Sequence, residues 1–295
     1  MSVRVTQNML NNNMMRNLNN SMGIMDKLQE QLSSGRKVNR PSDDPVVAAR
    51  GMLYRSSLME NSQYQRNATD AQSWLELSDD SLDESTNVLQ RIRELLVQSG
   101  DASLADDSLK AMGEEIKQLK HQLGSIANAT IGGRYIFAGT DTLNAPYQGE
   151  DFVSTNNSEI RLEVSKQVYV PINVNGQSIF NKQDADGDNV FKLLDAVVGK
   201  LAAGTPANDM LGKMDFQMDN LMAERAALGA RVNRIELVQE RLATEEVNVC
   251  GLMSTNEDAD IAEVITNLKT QENVHRSALG SGSRIIQPTL LDFLR

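Results

Sequence analysis

MDFQMDNLMAERAALGARVNRIELVQERLATEEVNV, Met214–Val249, sets Met214, Leu221, Leu228, Ile235, Leu242 and Val249 at intervals of seven. A repeat of seven keeps one apolar edge on one side of a helix and calls for a partner packed along it at a shallow angle. No proline breaks the run. The spacing predicts a single helix of about 50 Å at 1.5 Å per residue, longer than a compact domain of this mass usually holds.

Working outward, three more seams appear. Leu75, Leu82, Leu89 and Leu96 recur at sevens with Ile92 beside them, and Leu109, Met112, Ile116, Leu119, Leu123 and Ile126 alternate steps of three and four. Near the end, Ile261, Val264, Leu268, Gln271, His275 and Ala278 repeat the pattern more weakly. The first residues carry a fainter version: Met15, Leu18, Met22, Met25 and Leu32 keep helical time within an Asn-rich background, with Gln29 filling one slot. Asn disfavours helix because its side chain competes for backbone hydrogen bonds. That stretch should barely fold alone and should order against partners.

Punctuation divides the chain. Gly35 and Arg36–Arg40 read as a loop, and Pro41, Ser42, Asp43 and Asp44 before Pro45 read as a capped, proline-led helix start. Ser254 with Glu257 and Thr255 with Asp258 offer capping boxes ahead of Ile261. Between the second and third long seams the period changes to two. Ile160, Leu162 and Val164 alternate, as do Val168 with Val170 and Ile172 with Val174, and Asn175-Gly176 reads as a hairpin turn with Ile179 starting the return. The two glycines of IGGRYIFAGT, Ile131–Thr140, read as a helix stop before a strand. The expected fold is mainly α: a long antiparallel helical bundle or coiled-coil rod formed by the N- and C-terminal halves, with a small inserted β domain. The expected divisions are a terminal coiled-coil core, 1–40 with 256–295, a helical rod, 41–134 with 205–255, and the β insert, 135–204.

Composition agrees with long helices. Apolar residues make up 40% of the 295, but aromatics only 4%, so large fillers for a broad globular core are scarce. The net charge of −11 argues against nucleic acid or an anionic membrane as partner. No apolar run approaches the ~20 residues that span a bilayer, and no basic segment followed by an apolar core opens the chain. By itself that reads as cytoplasmic, or as export by a route that accepts an uncleaved, unfolded amino terminus.

Catalytic and metal-binding patterns are missing from the sequence. His121 and His275 sit far apart in helical patterns, and neither has partners at catalytic or metal-ligand spacing. The single cysteine, Cys250, follows the last position of the third seam and reads as a buried or half-buried thiol. Asp184, Asp186 and Asp188 invite a calcium reading, but Gly187 is fourth from Asp184 where a sixth-place glycine is required, and the twelfth place holds Asp195 in place of the bidentate Glu, so the stretch reads as a turn. LGSGSR, Leu279–Arg284, has no strand before it and reads as a place for close helix approach. No cofactor is expected, and the reading is non-enzymatic.

Four blocks together resemble the flagellin family. They are LSSGRKVNRPSDDPVVAAR (Leu32–Arg50), LQRIRELLVQSGD (Leu89–Asp101), AALGARVNRIE (Ala226–Glu236), and STNEDADIAE (Ser254–Glu263) through PTLLDFLR (Pro288–Arg295). Within the family, IGGRYIFAGTDTLNAPY (Ile131–Tyr147) and SVRVTQNML (Ser2–Leu10) are more similar to members found at the hook–filament junction than to filament subunits. The resemblance implies a secreted, non-enzymatic structural subunit of the bacterial flagellum, passed unfolded through the type III export channel. It also implies a cytoplasmic export chaperone on the carboxyl-terminal region. Assembled, the subunit would form a homo-oligomeric ring with hook-associated protein 1 below and flagellin above. Met15, Leu18, Met22, Met25, Leu32, Ile261, Val264, Leu268 and Ala278 would then line the subunit interface of the terminal core. Arg91 and Leu95 match the flagellin segment read by a vertebrate innate-immune receptor. Gly280 and Gly282 depart from the family pattern and weaken the last helix. The filament subunit itself and an intracellular coiled-coil scaffold are the alternatives, with a calcium-binding module through Asp184, Asp186 and Asp188 behind both.

Overall fold

The structure, a computed structural model, describes residues 7–101, 105–149, 151–184 and 186–286. The fold is mainly α, with long helices from the two halves of the sequence on either side of a small strand-containing insert. Helices α1 (Gln7–Ser34), α2 (Pro45–Ser99) and α3 (Asp106–Ala127) come first. Six short strands follow, β1 (Thr130–Ile131), β2 (Arg134–Tyr135), β3 (Tyr147–Gln148), β4 (Asp151–Phe152), β5 (Arg161–Ser165) and β6 (Val168–Pro171). Then come α4 (Gly176–Phe180), α5 (Val190–Ala202), α6 (Leu211–Glu257) and α7 (Ile261–Ile286). The chain divides into two compact units: unit 1, residues 1–60 with 246–295, and unit 2, residues 61–245.

Unit 2 holds one contiguous core. The three long seams read from the sequence are buried in it at Leu75, Leu82, Leu89, Ile92 and Leu96 of α2, Leu109, Met112, Ile116, Leu123 and Ile126 of α3, and Met214, Leu221, Leu228, Ile235 and Leu242 of α6. Leu119 is half-buried against it, and Val249 falls in unit 1, half-buried. Polar cross-links fix α2 and α6 antiparallel. Asn61 Nδ2 donates to the Leu242 carbonyl at 3.0 Å, Arg225 pairs with Asp79 and Asp83, and Arg93 pairs with Asp215 at 2.7 Å. The α3–α5 contact carries a buried Lys120 ammonium, 2.6 Å from Asp195.

The insert has its own chemistry. Each of its three sheets is a two-stranded antiparallel hairpin. Four of the six phenylalanines gather beneath them: Phe137 meets Phe180 edge-on at 5.3 Å between centroids, and Phe152 and Phe191 flank Phe180. The few large side chains are spent here, where short strands offer little other apolar area.

Three local expectations are corrected. The hairpin turn lies between β5 and β6, where Gln167 takes φ 63° and its N–H donates to the Glu163 carboxylate at 2.9 Å. Asn175-Gly176 begins helix α4 instead: the Asn175 side chain accepts the Gln177 N–H, and a Cβ on Gly176 would lie 2.4 Å from the Phe137 carbonyl oxygen. The glycine there permits close approach of backbone rather than a turn, and Ile179 is helical. Gly132 and Gly133, both at positive φ, turn the β1–β2 hairpin, while α3 has already stopped at Ala127. Finally, Ser254 and Thr255 lie inside α6, and the cap of α7 is Asp260, whose Oδ1 accepts the N–H groups of Ala262 and Glu263. The expected start of α2 does form, with Asp44 Oδ1 accepting from Val46 and Val47.

Gly124 in α3 separates helix propensity from packing. Propensity favours Ala over Gly in a helix by about 1 kcal/mol, but a Cβ at Gly124 would lie 2.2 Å from Tyr147 Cε1. Gly124→Ala should therefore destabilise the protein, by about 1–3 kcal/mol for the forced repacking. Gly199→Ala in α5, where a Cβ meets nothing within 4 Å, should stabilise it by up to about 1 kcal/mol. Urea unfolding followed by circular dichroism reads both, and equal signs for the two would refute the packing account.

Candidate assembly interface

Unit 1 is built around α1 and α7, which run antiparallel: a Cβ on Gly282 would strike Met14, Gln271 Nε2 donates to Ser21 Oγ at 3.0 Å, and the backbones of Arg36 and Asp258 form an antiparallel β-bridge. Their shared seam is Met14, Leu18, Ser21, Met25 and Leu28 of α1 against Val264, Leu268, Gln271, His275, Ala278 and Gly282 of α7. Steps of three and four put each set on one helical edge. The seam is thin. Among the described residues of unit 1, its fully buried apolar side chains are Leu18, Val264 and Leu268. Ser21 and Gln271 fill the middle with a hydrogen bond in place of a leucine pair.

The residues expected at the subunit interface divide accordingly. Leu18, Val264 and Leu268 are buried in the α1–α7 seam, Met25 and Ala278 are half-buried within it, and Met15, Met22, Leu32 and Ile261 are exposed. The α1 seam keeps Leu18 and Met25 of the sequence reading but takes Met14 and Ser21 in place of Met15 and Met22, which stand on the flank 55% and 56% exposed. Met9, Leu10, Ile24, Ile265, Val274 and Leu279 add to the uncovered apolar surface of the pair. The two glycines of the last helix also differ: Gly282 is the close-approach point against Met14, whereas Gly280 faces open space.

A polar clamp closes the base of the pair. Lys37 N–H donates to the Glu257 carbonyl at 2.7 Å and Ala259 N–H to the Gly35 carbonyl at 2.9 Å, pinning the segment after α1 to the α6–α7 junction. Gly35, at φ 70°, takes the left-handed turn that lets the chain leave α1 there. The Glu257 carboxylate is 95% buried and pairs with Arg55, with Arg36 at 3.8 Å. Gly51 makes room for it, since a Cβ there would lie 1.7 Å from Glu257 Oε1. Asn256 Nδ2 donates to the Val47 carbonyl at 3.0 Å. Sequence reading assigned Glu257 to a capping box and so missed the clamp; Gly51 within an otherwise helical run was the available signal.

Elsewhere, Leu95 is buried in the unit 2 core, while Arg91 is held to Glu115 at 2.8 Å and to Glu94, contacts that raise its pKa. Cys250 is exposed, correcting the expectation of a buried or half-buried thiol: it falls one residue past the seam, on the open side of α6. The acids of the calcium-like turn surround the Lys213 ammonium, which lies 3.6 Å from Asp184, 2.5 Å from Asp186 and 3.7 Å from Asp188. Burial would raise the Asp184 pKa, but backbone N–H groups of Asp188 and Asp186 and the nearby Lys213 lower it on balance. Among the described residues no group of three or more His, Cys, Asp or Glu could hold a metal, and no helix is long and apolar enough to cross a membrane.

Two family models match the chain, the bacterial flagellin N-terminal helical region over residues 5–142 and the C-terminal helical region over 211–294. The chain is 28% identical over 296 residues to flagellar hook-associated protein 3 of Escherichia coli (strain K12), covering 92% of this chain and 93% of that one. It is 30% identical over 240 residues to the flagellar filament 31.3 kDa core protein of Treponema maltophilum, covering 80% of each. A crystal structure of flagellar hook-associated protein 3 from Legionella pneumophila shares the fold, with a TM-score of 0.62 at 15% identity, covering 69% of this chain and 98% of that one.

Glu257→Gln keeps the shape of the clamp but removes its charge. A charge-assisted hydrogen bond contributes about 1.5–3 kcal/mol, so amide exchange at Lys37 and Ala259 should quicken by about tenfold or more. Unchanged protection at both amides would show that the carboxylate does not hold the clamp.

Proposed function

The chain belongs to the bacterial flagellin family and is a structural subunit of the flagellum; from that premise we propose that its place is the hook–filament junction. Copies form a ring with hook-associated protein 1 on one side and flagellin on the other. The subunit reaches that place by type III export as an unfolded chain, guarded in the cytoplasm by a chaperone on its carboxyl-terminal region. The observation that carries the reading is the α1–α7 pair: three buried apolar side chains inside, and a flank of exposed Met15, Met22 and Ile261 outside. Ordering opposes such a pair in isolation at roughly 1–2 kcal/mol per residue. Packing against further copies supplies the missing burial at about 25 cal/mol per Å². Similarity to hook-associated protein 3 along nine-tenths of both chains supports the junction.

The filament subunit is the second reading, favoured by the match to a filament core protein. Deleting the gene separates the two. Loss of a junction subunit leaves hooks intact while filament protein escapes into the medium; loss of a filament subunit removes the filament protein itself.

For the terminal pair, amide exchange on a verified monomer should show weak protection from Met9 to Leu32, and strong protection there would refute completion by neighbours. Leu18→Asp and Leu268→Asp each place a charge in the seam, and should lower the amount of subunit in purified flagella by roughly tenfold or more while the unfolding transition of unit 2 stays in place. Normal filaments from either variant would remove the terminal pair from the interface.

A further inference from the structure

Charge is unequally divided along this chain. Unit 1 carries twelve Lys and Arg against twelve Asp and Glu, so the whole formal charge of −11 belongs to unit 2. Within neutral unit 1 the positive charge is itself gathered. Beside the clamp lies an open groove lined by Val38, Val47 and Met52 together with Arg36, Arg40, Arg55 and the Glu257 carboxylate. Arg55 holds that carboxylate closely. Arg36 is 3.8 Å from it with its side chain half exposed. The Arg40 guanidinium pairs with Glu30, at 3.3 Å on the surface, with 68% of its side chain open to solvent. Arg55 and Arg36 thus share one buried carboxylate, and Arg36 and Arg40 keep donor capacity toward solvent.

Arginine guanidiniums beside apolar side chains match a carboxylate carried on a short aliphatic stem. We propose that this groove is the socket for an acidic side chain from unit 2 of a second copy of the chain. The occupant is argued from charge: the molecule's own surplus of carboxylates lies entirely in the unit that lacks the groove. Copies meeting only through like regions would set acidic unit 2 against acidic unit 2, which costs free energy. A stagger that seats one copy's carboxylate in the next copy's arginines relieves that repulsion and fixes the register between neighbours. This deepens the assembly reading and rests on it.

Lys37 provides the probe. It is exposed, follows Arg36 directly, and bears an amine that a carbodiimide couples to a carboxylate in direct contact. Purified intact flagella would be treated with the carbodiimide and the products resolved by mass and peptide mapping. The expected product has twice the subunit mass, with the Lys37 peptide joined to an Asp or Glu peptide from residues 61–245. Lys37→Arg, which keeps the charge but not the reactive amine, should abolish it. Arg36→Glu with Arg40→Glu should reduce it by roughly fivefold or more, whereas Arg36→Lys with Arg40→Lys should keep most of it. Doubled-mass products formed at full yield in Lys37→Arg would overturn the socket and leave the assembly reading standing. Lys37 coupled to a different polypeptide would overturn it in favour of another flagellar protein. No doubled-mass product through any lysine would count against the assembly itself.

Discussion

Burial of apolar surface is rationed very differently between the two units, and the behaviour of the molecule follows from that. Unit 2 spends three heptad seams and most of the phenylalanines on one contiguous core. Unit 1 has a two-helix seam with a serine–glutamine pair at its centre. Most stability of a helix in a protein comes from the face it buries, not from propensity. A pair that buries three apolar side chains, with one of its two helices rich in Asn, is therefore conditional on what surrounds it, whereas unit 2 is self-sufficient.

The polar contacts answer to the same division. In unit 2 they set direction and register between helices, as Arg225 does by gripping Asp79 and Asp83 on α2. In unit 1 the most buried polar group, Glu257, replaces apolar burial as the fastening. A buried carboxylate costs desolvation and is tolerated only when paired and hydrogen-bonded. Its pairing with Arg55 meets that requirement, and Gly51 supplies the space. The clamp holds two backbone segments together where there is too little hydrocarbon to do so.

Long-range pattern was legible and local chemistry less so. A seam repeated six times over Met214–Val249 leaves one solution for a helix, and every interior position of it in unit 2 is buried. In α1 the repeat was carried by methionines on adjacent stripes, and hydrophobicity alone could not choose between Met14 and Met15; contact with Gly282 on α7 decides it. Asn175-Gly176 has the composition of a hairpin turn, yet Asn is equally a helix N-cap, and the crowding of Phe137 and Phe152 around Gly176 selects the cap. Glu257 was misread because a capping box is local, while its partners lie some two hundred residues upstream.

That distance has a kinetic meaning. The Arg55–Glu257 contact closes a loop of 202 residues, and bringing such remote points together costs chain entropy before any contact repays it. Once unit 2 has folded, the free path between them collapses to a short tether, and closure becomes cheap. The helices of unit 2 should therefore form early and the α1–α7 pair last, in the manner of contacts of high sequence separation. A chain delivered one end first would leave its leading terminal helix waiting, single and unzipped, until the trailing one arrived.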